Sequence, residues 1–153
     1  MESPGGAMNT VMKTVMRTAN KVGVGVYRVS GGKVGGKGSG GVPVLLLTVP
    51  GRKTGKPHTT PVGYFEHEGG YLVVGSAGGM PQDPQWFRNL RAAGRAEVQR
   101  GRATEAVTVR ELTGDERDAA WRDVVLVRCP PFGKYELKTS RTMPLALLTP
   151  TRG

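Results

Sequence analysis

The sequence TTPVGYFEHEGGYLVVG, residues 59–75, decides the fold. Two runs rich in β-branched and aromatic residues, Thr59–Glu66 and Tyr71–Gly75, flank the turn His67-Glu68-Gly69-Gly70. Such runs are typical of strands, and a short glycine-containing connection between them is typical of a β-hairpin. The chain is therefore predicted to build an antiparallel sheet around this hairpin.

Further strands are predicted on both sides of the hairpin. They are Val42–Val49, Arg95–Arg100, Ala103–Leu112 and Met143–Thr149. The second and third of these runs meet around Gly101, as a further hairpin would. Mostly antiparallel strands with a few short helices predict an α+β fold dominated by a small closed or half-closed β-barrel.

Two helices are predicted between the strands. Asp83 followed by Pro84 is typical of a helix start, with Asp83 as the N-cap and Pro84 in the first turn, and Gly94 is a typical stop. Thr113 with Glu116 matches a capping box and predicts a second helix that runs toward the single cysteine of the chain.

The N-terminal region is predicted to be helical. Apolar residues recur at intervals of three and four over residues 8–28, while basic residues share another face, so this segment is predicted to be an amphipathic helix. One interpretation is a helix that covers an end of the core, and the alternative is a basic helix that lies on an anionic membrane surface. Residues 1–7 are predicted to be disordered, and residues 30–41 are predicted to be a glycine-rich connector.

Length and charge limit the classes of function. The 153 residues are in the usual range of one domain, so residues 1–153 are predicted to form a single domain. Basic residues exceed acidic ones by 22 − 12 = 10, which favours an acidic ligand. Nucleic acid is not expected to be that ligand, because aromatic residues make up only 6% of the chain and no dense basic run contains them.

The single cysteine, Cys129, can form neither an internal disulfide nor a cysteine metal cluster. A chain with this cysteine content is typical of a reducing compartment, so the cytoplasm is expected. No stretch of the sequence approaches the ~20 apolar residues that a membrane-spanning helix needs. No metal site is predicted.

A basic turn lies between two predicted strands. Residues 51–58, Gly-Arg-Lys-Thr-Gly-Lys-Pro-His, bring together three permanent positive charges, a hydroxyl and accessible backbone amides. Arginine offers a planar fork to phosphate oxygens and lysine a mobile charge, so this turn suits a phosphate. A solvated basic hairpin is the alternative interpretation of this segment alone.

A glycine-rich loop, Gly75-Ser76-Ala77-Gly78-Gly79, follows the central hairpin. Glycines let backbone amide donors approach a planar polar ring without an intervening side chain. The loop is therefore a candidate for binding such a ring, and a plain strand-to-helix connection is the alternative.

Together the two segments resemble the deazaflavin-dependent nitroreductase and quinone reductase family, whose members use coenzyme F-420. The resemblance covers roughly residues 8–150. It is carried by Leu45-Leu46-Leu47-Thr48, Gly51-Arg52-Lys53-Thr54-Gly55, Ser76, Gly78-Gly79, Pro84, Trp86, Asn89-Leu90 and Arg141-Thr142-Met143-Pro144. The family implies a split β-barrel of the FMN-binding type with an N-terminal helix and short flanking helices.

The resemblance also implies which residues bind the coenzyme. The basic turn would hold its phosphate and acidic tail, and the glycine-rich loop with the following helix would line the deazaflavin ring. The coenzyme-binding residues expected on this basis are Arg52, Lys53, Thr54, His58, Thr60, Pro61, Ser76, Ala77, Gly78, Gly79, Gln85, Trp86 and Asn89.

Two positions differ from the family pattern at the coenzyme side. His58 stands where relatives often have a phosphate-binding arginine, so coenzyme affinity is expected to be weaker or pH-sensitive near the unperturbed histidine pKa of ~6.5. Ala77 replaces a lysine found in some relatives.

On the substrate side the segment 129–135 resembles a tyrosine-rich stretch of the nitroreductases. Cys129, Phe132 and Tyr135 are the expected substrate-binding residues, and of these only Tyr135 carries a phenolic hydroxyl. Tyr135 is the candidate catalytic residue, as a proton or hydrogen-bond donor to the developing oxyanion, with simple packing as the alternative. Cys129 is interpreted as a small buried apolar residue, and activity on bulky nitro compounds is not expected.

The resemblance implies an oxidoreductase that passes a hydride from reduced coenzyme F-420 to a small electron-poor acceptor, such as a quinone, an enone, an unsaturated lactone or a nitro compound. Alternatives are a noncatalytic deazaflavin carrier, an FMN-dependent reductase and a basic nucleic-acid binder. The expected partner is a small-molecule acceptor, with peripheral membrane contact through the N-terminal helix as a further hypothesis. The oligomeric state is left open.

Overall fold

A closed antiparallel barrel forms the centre of the computed structural model, which describes residues 21–32, 36, 41–76 and 81–151. Around the barrel the strands follow the order β1-β2-β3-β6-β5-β4, and every neighbouring pair is antiparallel. The strands are β1 Val44–Pro50, β2 Pro57–His67, β3 Gly70–Val74, β4 Arg95–Arg100, β5 Ala103–Leu112 and β6 Leu145–Pro150. The predicted α+β split-barrel fold is confirmed.

The predicted strands are present, and some of their ends differ. Pairing of Tyr64 with Val73 and of His67 with Gly70 confirms the central hairpin. β1 starts two residues later than predicted, directly after Pro43, and β6 starts two residues later than predicted, directly after Pro144. Proline has no N–H to donate to a sheet, so each of these strands begins at the residue after the proline.

Strand alternation divides the apolar residues between two faces. Leu45, Leu47 and Val49 point into the barrel, where they form an interior cluster with Val62, Tyr64, Tyr71, Val73, Val98, Val107, Ala146 and Leu148. The outer face carries a second cluster, which includes Phe65, Leu72, Val74, Leu112, Trp121, Val125, Cys129, Met143, Leu145 and Leu147.

Helix α2, Gln85–Ala93, closes one end of the barrel by placing Phe87 and Leu90 in the interior cluster. Its N-cap is Pro84, so the prediction of Asp83 as N-cap is wrong. The carboxylate of Asp83 is instead bonded to two arginines, described below. The predicted stop is confirmed, since Gly94 adopts a left-handed φ of 70° and donates its N–H to the carbonyl of Leu90.

A continuous helical stretch covers part of the outer face. It comprises α3 Gly114–Ala120, a π-helical turn Trp121–Val125 and α4 Leu126–Arg128, and it leads to Cys129 as predicted. Thr113 is the N-cap residue, but its side chain makes no capping hydrogen bond. The prediction of a capping box is therefore wrong. Glu116 bonds the guanidinium of Arg110 on β5 instead. A short helix, α5 Phe132–Lys138, follows.

The N-terminal helix is helical over the described residues 21–30 and is called α1. Val24 and Tyr27 pack against Leu46 on the outer face of β1. The Tyr27 hydroxyl donates to the carbonyl of Val44 and accepts from the N–H of Gly101, both at 3.0 Å. The described part of the helix therefore covers the outer face of β1.

Other N-terminal predictions lie outside the described residues. These are the helix over residues 8–20, the disorder of residues 1–7 and most of the connector over residues 30–41. Within the described part of the chain, no helix combines the length and the apolar character needed to cross a bilayer.

Candidate functional site

Three segments meet at one end of the barrel, called the site end. They are the basic turn of residues 51–58, whose last two residues begin β2, the loop between β3 and α2 (residues 75–84) and α2 itself. The backbone N–H of Arg52 donates to the Asn89 side chain, and Gly75 lies against Phe87, so α2 contacts both of the other segments. The fold therefore brings together the two segments that the sequence singled out separately.

The basic turn has a defined backbone. Gly51 donates its N–H to the carbonyl of Lys56, and Gly55 donates to the carbonyl of Gly51, both at 2.8 Å. Gly55 has a φ of 75°, which glycine adopts without strain. The side chains of Arg52, Lys53 and Thr54 are exposed at the tip, so their charges and hydroxyl are accessible to an anion.

Asn89 anchors this turn from below. Its Oδ1 accepts hydrogen bonds from the backbone N–H of Arg52 at 3.1 Å and from Arg52 Nη1 at 2.7 Å. Asn89 is only 8% exposed, on the side of α2 that faces the barrel. The structure therefore places this expected coenzyme contact beneath the turn, where it orients Arg52.

Three further expected coenzyme residues lie at the start of β2, on two different faces of the strand. His58 is paired with Val49 and Thr60 with Leu47, so both side chains share the face that points into the barrel. Pro61 is paired with Leu46, which packs on α1, so Pro61 lies on the outer face. The His58 ring also lies close above Gly51, since a Cβ added at Gly51 would be 2.9 Å from His58 Nε2.

The loop after β3 leaves the barrel through a narrow gap. A Cβ added at Gly75 would approach Pro144 Cγ to 2.8 Å and the Phe87 ring to 2.9 Å, so a side chain at this position would require these neighbours to shift. Ser76 is half-buried. The other three expected residues of this loop, Ala77, Gly78 and Gly79, lie outside the described residues.

Trp86 and Gln85 lie on the first turn of α2. Trp86 is half-buried against the interior cluster, with its ring edge-to-face on Phe87 at 5.5 Å between centroids. Gln85 is exposed. An indole held in this way presents a fixed aromatic surface at the site end.

The expected substrate residues lie on the outer face of the barrel. Phe132 contacts the rings of Phe65 and Trp121 at 6.2 and 6.3 Å, and Cys129 is buried in the same outer cluster. Tyr135 is half-buried against Phe132 at 5.8 Å. Tyr135 lies within helix α5.

Burial also decides the chemistry of the cysteine. Desolvation raises the pKa of the Cys129 thiol, and it outweighs the opposing effect of the backbone hydrogen bond with Phe132. A buried neutral thiol is a poor nucleophile, which agrees with the interpretation of Cys129 as an apolar residue.

Arg141 and Asp83 are functional candidates that the sequence interpretation did not place at the site. The Arg141 guanidinium bonds the carbonyls of Gly75 and Ser76 and the carboxylate of Asp83. Arg141 opens one of the family-like motifs, which was the available signal. Its partners are distant in sequence, so the contact itself could not be read from the chain.

An open groove of about 590 Å³ lies at the opposite end of the barrel, beside the β2–β3 turn. Tyr71 and Arg100 line it, and the Tyr71 hydroxyl donates to Glu105 Oε2 at 2.6 Å. Burial, followed by the hydrogen bond to Glu105, raises the pKa of Tyr71. None of the expected coenzyme or substrate residues that the structure describes lines this groove.

Comparison with a family model matches residues 19–150 to the F420H(2)-dependent quinone reductase family. The match includes the basic turn, the β3–α2 loop and α5. A curated protein of Mycobacterium tuberculosis, an F420H(2)-dependent quinone reductase, is 34% identical over 126 residues, which cover 81% of this chain and 85% of that protein.

Solved structures give the same relationship. A structure of an F420-H2 dependent reductase, FDR-A, has 36% sequence identity and a TM-score of 0.62, covering 69% of this chain and 93% of that one. A second structure, described as a domain-swapped dimer, has 29% identity and a TM-score of 0.65 and covers 93% of this chain and 98% of that one. The barrel and the segments around it are thus shared with proteins of similar sequence.

Proposed function

Because this chain belongs to the F420H(2)-dependent quinone reductase family, we propose that it is an oxidoreductase that uses reduced coenzyme F-420 to reduce a quinone-type acceptor. The observation that carries the proposal is the meeting of the basic turn and the β3–α2 loop at one end of the barrel, joined through α2. A phosphate and a planar ring of one ligand can then be held together.

The donors at the site end fit this coenzyme. Arg52, Lys53 and Thr54 would hold its phosphate and acidic tail, because their cationic and hydroxyl groups are exposed on a turn with a fixed backbone. Ser76 and Trp86 would line the ring. His58 and Thr60, which share the inward face at the start of β2, would complete the site, with Gln85 at its edge.

Reduced coenzyme F-420, when bound, supplies the hydride. The chain's own contribution is to hold ring and acceptor in a fixed geometry and to keep water away from them. The closed barrel end beneath Trp86, filled by Phe87 and Leu90, supplies a rigid apolar floor for this purpose.

The acceptor class is proposed to be small quinones, with enones and unsaturated lactones as related electron-poor substrates. Tyr135 is the proposed hydrogen-bond or proton donor to the acceptor oxygen, because it carries the phenolic hydroxyl of the expected substrate segment. This role requires the acceptor to reach α5 on the outer face of the barrel. Phe132 and Cys129 would support Tyr135 by packing α5 against the outer cluster.

The test is a titration of the purified protein with reduced coenzyme, followed by addition of menadione. Saturable binding and protein-dependent oxidation of the coenzyme are expected. Lys53→Ala should weaken coenzyme binding at least about tenfold, since one charged hydrogen bond contributes roughly 1.5–3 kcal/mol. Lys21→Ala on α1 removes the same charge away from the site and should leave binding unchanged.

Each other outcome of this titration has a definite meaning. Binding without acceptor-dependent oxidation would indicate a noncatalytic coenzyme carrier. Absence of binding would reject the function, and a yellow protein that purifies with flavin would favour an FMN-dependent reductase.

We also propose peripheral contact of α1 with the cytoplasmic face of an anionic membrane. Val22, Val26 and Val29 are 61%, 42% and 84% exposed, and their spacing of four and three residues places them on one face of the helix. Lys21 and Arg28 are exposed beside them, as in helices that bind lipid headgroups.

Co-flotation with vesicles tests the membrane contact. The protein should float with vesicles that contain anionic lipid, and Val22→Ser with Val29→Ser should reduce the floated fraction several-fold. Equal flotation of the double variant, or none of the wild type, would reject the contact.

A further inference from the structure

One half-buried guanidinium joins the two ends of the β3–α2 loop. Arg141 Nη1 donates to the carbonyl of Gly75 at 3.0 Å and to Asp83 Oδ1 at 2.6 Å, and Nη2 donates to the carbonyl of Ser76 at 2.8 Å. Gly75 and Ser76 are the first residues of the loop, and Asp83 precedes the N-cap of α2. The side chain of Arg141 therefore bridges the points where the loop leaves the barrel and where it returns.

The far side of the bridge is itself fixed. Asp83 Oδ2 accepts from Arg91 Nη2 at 3.1 Å, and Arg91 also bonds Glu111 on β5 through Nε at 2.7 Å. The chain of charges Arg141, Asp83, Arg91 and Glu111 thus connects the loop to α2 and to the barrel wall.

Arginine is well suited to this position. Its planar guanidinium carries five donors in a fixed fork, so it can bond two carbonyls and a carboxylate at once, whereas a lysine ammonium lacks that fork. The side chains of Arg141 and Asp83 are only 13% and 20% exposed, so each has lost much of its hydration, and removing either one would leave the charge of the other uncompensated.

We propose that Arg141, through Asp83, is a positioning residue that holds the two ends of the β3–α2 loop together and so places Ser76 and Trp86 to receive the coenzyme ring. Its link to catalysis rests on the function proposed above, since Ser76 and Trp86 are the groups whose positions it sets. The bridge itself is a property of the protein without coenzyme. Preorganisation of the loop removes the cost of ordering it when the ligand binds.

Backbone amide hydrogen exchange in the coenzyme-free protein tests the bridge directly. In Arg141→Gln, peptides covering residues 75–83 should exchange at least tenfold faster than in the wild type, and Arg141→Lys should give an intermediate rate. The matched control is Tyr71→Phe, which removes a hydrogen bond to Glu105 near the opposite end of the barrel. It should leave exchange of residues 75–83 unchanged even if the melting temperature falls.

Calorimetric titration of the same variants tests the consequence for the coenzyme. Arg141→Gln should raise the coenzyme Kd about tenfold or more while the KM for menadione stays within twofold, and Arg141→Lys should restore part of the affinity. The Tyr71→Phe control should keep the wild-type Kd. In a double-mutant cycle, Arg141→Lys and Asp83→Asn should be strongly non-additive in Kd.

The outcomes separate the two proposals. Unchanged exchange of residues 75–83 in Arg141→Gln, or faster exchange with an unchanged Kd, would overturn the positioning role while leaving the reductase function intact. A wild-type protein that binds no coenzyme, with the exchange difference still present, would reject the function and its link to Arg141 but would leave the bridge established.

Discussion

Asn89 is a single buried side chain that sets the position of a charged group at the site. Its amide oxygen accepts from both the backbone and the side chain of Arg52, so it fixes the direction of the guanidinium at the start of the basic turn. Asn89 was expected to contact the ligand, and the structure places it under Arg52, the residue proposed to make that contact.

Asn89→Ala is predicted to weaken coenzyme binding about tenfold and to destabilise the protein by about 0.5–1.5 kcal/mol, because the backbone N–H of Arg52 loses its hydrogen bond to Asn89. Asn89→Asp keeps an acceptor oxygen and should retain most of the affinity. Calorimetric titration and urea unfolding measure the two effects. Equal affinity of Asn89→Ala and the wild type would show that Arg52 needs no anchor.

Cys129 is predicted to be unreactive in the folded protein. Burial raises the pKa of its thiol, so alkylation by iodoacetamide should be far slower in the native protein than in urea, even at pH 9. Its contribution to stability is present below the unfolded thiol pKa of ~8.5 and is lost as pH rises through the higher folded pKa. Fast native alkylation would contradict the buried position.

Among the helices and strands, local sequence patterns predicted most of the elements but missed the ion pairs that some of their end residues form. β4 and β5 have the ends that the sequence indicated, and Gly94 stops α2 as expected. Asp83 and Glu116 look like helix-capping residues, yet both are used in ion pairs. An arginine that the fold brings close can compete for a carboxylate near a helix start, and a local pattern does not reveal it.

Gly94→Ala is predicted to destabilise the protein by about 1–2 kcal/mol, because φ at this C-terminal cap is 70° and alanine adopts it with strain. No neighbouring atom lies within 4 Å of the added Cβ, so the effect comes from the backbone alone. Gly133→Ala is the control, since it lies inside α5 and should be neutral or stabilising. Urea unfolding distinguishes them, and equal midpoints would contradict the argument.

At the scale of the whole molecule, barrel closure depends on contacts between distant parts of the chain. The hairpin of β2 and β3 could be predicted, but the pairings of β1 with β4 and of β3 with β6 join segments about fifty and seventy residues apart, for which no local pattern gives the register. The same closure places Pro61 outside the barrel and Arg141 beside Ser76.

The central claim is that the coenzyme binds at the end of the barrel that carries the basic turn and the β3–α2 loop. Amide hydrogen exchange with and without saturating coenzyme F-420 tests it most directly. We expect protection over residues 51–60 and 75–89, with no change around the groove at residues 66–71. Protection confined to residues 66–71, or no protection anywhere at saturating coenzyme, would contradict it.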